Sequence, residues 1–292
     1  MRITNAMLVD TVLNNLNRNV NKLEKLQTQL TSGKRLSRPS DDPSEVGRAL
    51  NLSSSMAAGA QHVRNMEAAS DWLSTSESSL GATLELLQRV RELTVQSAND
   101  TVNAAQRTAI ATEVSQLLDQ MVAQGNSTLG GKRLFAGFLV NANPFTLTGP
   151  TVTYSGDAGQ MLREIDAGST IQINVNGSTT FSAVFATTIN VRDHLLADDS
   201  VSLGSVDLTA LDSTISGLLN VRADVGARIN RLEGAKTRQE LLQVGLAALL
   251  SKVADTDFAQ AITEFSNQEN VYKAALAAGS KAIQPSLLDY LR

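Results

Sequence analysis

Two heptad patterns, one at each end of the chain, constrain the fold of this sequence more than any other feature. Near the N-terminus Val9, Leu16, Leu23 and Leu30 recur every seven residues, and Leu13, Val20 and Gln27 follow four residues after the first three. Near the C-terminus Phe258, Phe265, Tyr272 and Gly279 recur in the same way, with Ile262, Glu269, Leu276 and Ile283 as the second line. Such 4-3 spacing lays a narrow apolar seam along a helix, and the seam needs a partner helix to cover it. The termini are therefore expected to pair with each other or with copies of themselves.

Between the seams the chain changes character twice. Residues about 6–31 read as the first helix, and Gly33, Pro39 and Pro43 then break it. Asp42-Pro43-Ser44-Glu45 starts the next helix, with Asp42 as N-cap, Pro43 in the first turn and Glu45 placed to reach back. That helix runs to about Asn99, which at ~1.5 Å per residue is roughly 80–85 Å. A third, about 104–123, carries Ile110, Val114, Leu117, Leu118 and Met121 on one face and folds back as an αα-hairpin. From Gly125 to Asp193 the alternation becomes period two. Ile171 to Val175 reads as a strand entering an Asn176-Gly177 turn, Thr179–Phe185 as its return, Leu134–Phe138 as extended, and Gly130-Gly131-Lys132 as a hairpin turn. Helix resumes at about Leu208 with Leu211, Ile215, Leu218, Val225, Ile229 and Leu232. The five-residue step from Val253 to Phe258 breaks phase, and Asp255-Thr256-Asp257 in that break can cap a fresh helix.

The expected fold is mainly α: a long antiparallel helical bundle or coiled coil built from both termini, with a small β-rich insertion domain. Three domains follow from the breaks. Residues 1–42 with 255–292 form a terminal coiled-coil domain, 43–140 with 204–254 a helical bundle, and 141–203 a β-rich outer domain. The central seams are ordinary bundle core. The terminal seams are set apart by breaks and expose apolar surface unless other chains cover them, which points to polymer or ring contacts.

Composition narrows the chemistry. Aromatic residues make up only 4% of the chain, which suits long helices with thin seams. The chain has no cysteine, which removes disulfides, thiolate metal sites and Cys nucleophiles. No apolar run approaches the roughly 20 residues of a membrane span. The opening Met1-Arg2-Ile3-Thr4-Asn5 lacks the apolar core of a cleavable signal. Arg2, Lys22, Lys25, Lys34, Arg35 and Arg38 outweigh Asp10 and Glu24, but no aromatic residue accompanies them as a single-strand nucleic-acid arm would want. The segment from Ser251 is slightly acidic, so the two ends carry opposite charge.

No site for catalysis emerges. Neither of the two histidines has a second His at ligand spacing. His62 reads as a surface residue of a helix. His194 has Asp193, Asp198 and Asp199 near it in sequence, and solvated loop carboxylates are the plainer reading than a metal site. No Walker loop, dinucleotide loop, H-E-x-x-H or G-x-S-x-G motif occurs. The expectation is a non-enzyme with no cofactor, no metal, no nucleic acid and no membrane insertion. Its working residues are then the assembly seam: Val9, Leu13, Leu16, Val20, Leu23 and Leu30 with Phe258, Ile262, Phe265, Tyr272, Leu276 and Ile283.

Thr31-Ser32-Gly33-Lys34-Arg35-Leu36 followed by Pro39-Ser40-Asp41-Asp42-Pro43 resembles the flagellin superfamily, and within it the hook-associated protein 3 family. Met1-Arg2-Ile3-Thr4, the segment Val90–Asn99, Leu134-Phe135-Ala136-Gly137 with Pro144-Phe145, and Asp255-Thr256-Asp257-Phe258-Ala259 are similar to segments of the same proteins. The tail Leu287–Arg292 is similar to that of flagellin as well as to that of the junction family, so flagellin stays as the alternative and an enzyme on a flagellin-like scaffold as a remote one. The resemblance implies an exported structural subunit of the bacterial flagellum, sited between hook and filament. It implies hook-associated protein 1 (FlgK) and flagellin as neighbours, self-association in a ring, type III export without a cleaved signal peptide, an extracellular location, and a FlgN-type chaperone before export. It further implies terminal seams that are disordered before assembly.

Overall fold

The computed structural model describes residues 5–99 and 101–283. Seven α-helices and six short strands follow in the order α1 (Asn5–Ser32), α2 (Pro43–Ser97), α3 (Ala104–Gly125), β1 (Thr128–Leu129), β2 (Lys132–Arg133), β3 (Phe145–Thr148), β4 (Thr151–Tyr154), β5 (Leu162–Asp166), β6 (Ser169–Gln172), α4 (Gly177–Leu196), α5 (Ser200–Ser202), α6 (Leu208–Ala254) and α7 (Phe258–Ile283). The mainly α fold with long helices from both ends and a small β insertion is therefore what the chain adopts. Contacts group it into two compact units, residues up to 58 with those from 242, and residues 59–241. Both joins fall inside helices, α2 and α6.

The 59–241 unit owns the large core. Met66, Leu73, Leu80, Leu87, Val90 and Leu93 of α2 stack with Val114, Leu118 and Met121 of α3 and with Leu211, Leu218, Val225 and Leu232 of α6, all buried. Arg91–Asp212 at 2.6 Å, Glu77–Arg222 at 2.5 Å and Glu67–Lys236 at 2.7 Å cross between α2 and α6, and their numbering fixes the two as antiparallel. Surface pairs of this kind add little stability each; here they record the register. Asn103 closes a full capping box with Gln106 at the start of α3.

Two segments fold otherwise than the sequence predicts. Gly177–Leu196 is a helix, not a return strand, and Asn176 is its N-cap, accepting from the Thr179 N–H. The reason lies in the next residues: Phe181, Val184, Thr188, Val191 and Leu195 bury one helical stripe against the core, and that burial overrides the Asn-Gly hairpin signal. β6 pairs back onto β5 instead, through the turn at Ala167-Gly168. The last strand ends at Gln172. Leu134–Phe138 forms bends and a turn, not a strand. Leu134, Phe135 and Ala136 are wholly buried there, so packing on both sides leaves no room for a ladder partner. Phe135, Phe145, Phe181 and Phe185 form one ring cluster with centroids 4.9–5.6 Å apart. Gly130 and Gly131 do turn a hairpin, β1 against β2.

Candidate assembly interface

In the unit of residues up to 58 and from 242, α1 and α7 pair antiparallel. Ser32 ends α1, and Gly33 follows in the left-handed conformation (φ 69°) that lets the chain leave the helix. Asp257 caps α7 by accepting from Ala259 N at 2.9 Å and Gln260 N at 3.1 Å. Asp42 does the same for α2, accepting from Ser44 N and Glu45 N. The sequence placed both caps.

The pair shares one predicted line and changes the other. Val9, Leu16, Leu23 and Leu30 of α1 and Phe265, Tyr272 and Gly279 of α7 lie in the covered face. The second covered line is Val12, Asn19 and Leu26 on α1, and Ala261, Gln268 and Ala275 on α7, three residues on and not four. Gln268 Nε2 donates to Asn19 Oδ1 at 3.1 Å across the pair. Gly279 faces Val12 so closely that a Cβ there would lie 2.7 Å from Val12 Cγ1. The physical reason is size: the second line of α7 turns Ala261 and Ala275 toward α1, beside Gly279 of the shared line, and the backbones approach closely there. The large flank of α7 then has no place between the helices.

That choice leaves apolar side chains in the open. Leu13 is 50% exposed, Val20 42%, Ile262 55% and Leu276 43%. Met7, Val271 and Phe258 are also exposed, although the Phe258 ring rests on Gly33. The side chain of Ile283 lies outside the described residues. No described residue of α1 is fully buried, and on α7 only Ala261 and Gly279 are. A shallow groove of about 510 Å³ runs along the pair between Lys22, Lys25, Leu26, Gln29, Glu264 and Val271. The pair therefore has two apolar faces, one closed by its own partner helix and one facing out.

The histidine that the sequence singled out has a carboxylate partner. His194 Nδ1 lies 2.7 Å from Asp207 Oδ2, a buried carboxylate on the residue just before α6, so its partner is one that the neighbouring sequence does not single out. Asp193 pairs with Arg192 and Asp198 with Arg107. Among the described residues no three His, Asp or Glu side chains stand together as a metal site, and no helix is long and apolar enough to cross a membrane. The cavity beneath β3–β4, about 290 Å³, is lined by Phe145, Val152, Tyr154, Phe185, Ile189 and Asn190. Burial pushes the Tyr154 hydroxyl above its ordinary pKa, with the Asp157 charge adding to it.

The fold is thus that of a mainly helical protein in which α1 pairs with α7, a small β insertion interrupts the helices, and an apolar row of the terminal pair faces out. The chain belongs to the flagellin superfamily: the bacterial flagellin N-terminal helical region matches residues 3–139, and the bacterial flagellin C-terminal helical region matches residues 208–291. It is similar to flagellar hook-associated protein 3 of Salmonella typhimurium, 24% identical over 94% of this chain and 95% of that one. It is also similar to the flagellar filament 33 kDa core protein of Treponema phagedenis, 29% identical over 98% of this chain and 97% of that one. Among solved structures, Bacillus cereus FlgL superposes with a TM-score of 0.61 at 25% identity, covering 69% of this chain and 99% of that one. The chain is thus a flagellin-like structural protein of the bacterial flagellum, and it associates with other flagellar components.

Proposed function

We infer that this subunit joins hook to filament, as the hook–filament junction protein, with hook-associated protein 1 (FlgK) on one side and flagellin on the other. It performs no catalysis and works outside the cell after type III export, escorted beforehand by a FlgN-type chaperone. The observation that carries the mechanism is the uncovered row of Leu13, Val20, Ile262 and Leu276 on a helix pair that buries little of itself. Ordering costs about 1–2 kcal/mol per residue, and a two-helix pair in which none of the described α1 residues is fully buried cannot offset that alone. Neighbouring subunits in a ring supply the missing surface, and the pair becomes fully ordered there.

Deletion in the parent bacterium tests the role. Intact hooks with unassembled flagellin shed to the medium is the expected result, and normal attached filaments would refute it. The full-length likeness to a filament core protein favours a second reading, a filament subunit; purified protein that polymerises alone into long filaments would establish that instead. Hydrogen exchange on the free subunit tests ordering on assembly. Strong protection across α1 and α7 would count against it.

A further inference from the structure

The motifs Gly33-Lys34-Arg35 and Asp255-Thr256-Asp257 look in the sequence like two separate breaks. In the structure they lie side by side as an antiparallel bridge, Lys34 opposite Asp255. The Arg35 N–H donates to Ala254 O at 2.8 Å, and the Thr256 N–H to Gly33 O at 3.0 Å. These bonds flank the Lys34–Asp255 pair and do not join it, and a non-hydrogen-bonded pair brings its side chains closest. Lys34 Nζ lies 2.5 Å from Asp255 Oδ1. Arg35 Nη2 donates to Val253 O at 2.8 Å, and Gln29 Nε2 to Arg35 O at 3.0 Å. Lys25 meets Asp41 at 2.9 Å, and Asp41 also accepts from the Ser37 and Arg38 N–H groups.

Lys34 and Asp255 are 221 residues apart in the chain. Pairing α1 with α7 from a free chain closes that loop at an entropic cost, whereas the bridge sets the end of α1 beside the start of α7 beforehand. It also sets their register. Gly33 lies against Phe258, and three heptads further along each helix Val12 lies against Gly279. Heptad helices can slip by seven residues and still match apolar to apolar, and a polar pair or a fixed end is what prevents it. Here the Asn19–Gln268 pair supplies the first and the bridge the second. A slip would move Leu13 and Val20 out of line with Ile262 and Leu276 on the open face.

We propose that the Lys34–Asp255 bridge is a register clamp, which fixes α1 against α7 so that their open apolar rows present one surface to neighbouring subunits. The clamp deepens the junction reading and rests on it for where its loss is seen. In the parent bacterium, Lys34→Asp and Asp255→Lys are made singly and together, and filament protein in the medium is compared with that on cells. Each single reversal raises the shed fraction about threefold, the scale of an exposed ion pair turned repulsive, and the combined swap returns it to the starting level. Single reversals without effect, or a swap as poor as the worse single change, would overturn the clamp. A second arm does not depend on the junction role. The chain has no cysteine of its own, so Lys34→Cys with Asp255→Cys, oxidised mildly in sheared flagella, forms an intramolecular disulfide seen as a gel shift. Absence of that shift overturns the clamp even where deletion supports the junction role. If deletion leaves filaments attached, the junction reading falls and the disulfide still decides the clamp.

Discussion

Replacing Leu13 and Ile262 with glutamine separates the open face of the terminal pair from its closed one. Leu13 is 50% and Ile262 55% exposed. Full burial of a Leu or Ile side chain contributes about 1.5–3 kcal/mol, so covering the exposed half gives about 1 kcal/mol each. The pair then supplies about 2 kcal/mol to contacts with neighbours, roughly a 30-fold change in a contact's equilibrium constant. Glutamine matches leucine in helix propensity and betters isoleucine, so α1 and α7 keep their intrinsic tendency to form. The assay is the fraction of filament protein shed by cells carrying Leu13→Gln/Ile262→Gln, with Asn14→Gln, exposed on the side of α1 opposite its covered face, as control. Shedding should rise by roughly an order of magnitude in the double variant, as that equilibrium shift requires, and stay at the starting level in the control. Leu16→Gln, on the covered row, should also shed, and should in addition reduce protection of α7 amides in sheared flagella. An outer-row variant that assembles as the control does, or that loosens α7 as much as the covered-row variant, would refute an open assembly face.

Three further outcomes follow from the same contacts. Asp255 sits below the ordinary carboxyl value because Lys34, and then Ser251, donate to it; Asp41 does so because of Lys25, and then the Arg38 N–H. A depressed folded pKa means their stabilisation is complete above the unfolded value and fades as pH falls through the folded one. In a carboxyl carbon titration Lys34→Met should therefore move the Asp255 midpoint up, and an unmoved midpoint would contradict the pairing. Arg107 is buried, with Asp198 at 2.5 Å, Ser97 O at 3.0 Å and Asn99 O at 3.3 Å. Arg107→Met should cost about 2–4 kcal/mol in urea unfolding, because it strands the carbonyl of buried Ser97, whereas Asp198→Asn, at a half-exposed partner, should cost under about 1 kcal/mol. Phe181→Ala opens the four-ring cluster and should cost about 3–5 kcal/mol in the same measurement; a loss under 1 kcal/mol would mean the cluster is not close-packed.

What the sequence by itself determined was whatever depends on local chemistry and on long repeats. The helix starts at Asp42-Pro43 and Asp257, the end at Gly33, the turn at Gly130-Gly131 and the 9/16/23/30 and 265/272/279 lines are all set by caps, left-handed turns and periodicity, which act within a few residues. The superfamily was equally legible, because its motifs are local strings. Tertiary structure decided the rest. Asn176-Gly177 carries a hairpin signal, yet the segment becomes a helix because its stripe from Phe181 to Leu195 finds a core that lies far away in sequence. The second line of each terminal helix was ambiguous by one residue, since Val12 and Leu13 are both apolar and Ala261 and Ile262 both acceptable. Only the close approach at Gly279, with Ala261 and Ala275 on the neighbouring line, chose the small flank for the inside. The same choice turned Leu13, Val20, Ile262 and Leu276 outward, and joined two linkers 221 residues apart in the chain into one bridge. Periodicity fixes which residues share a face, but which face meets a partner depends on the partner's shape, and that exists only once the chain has folded.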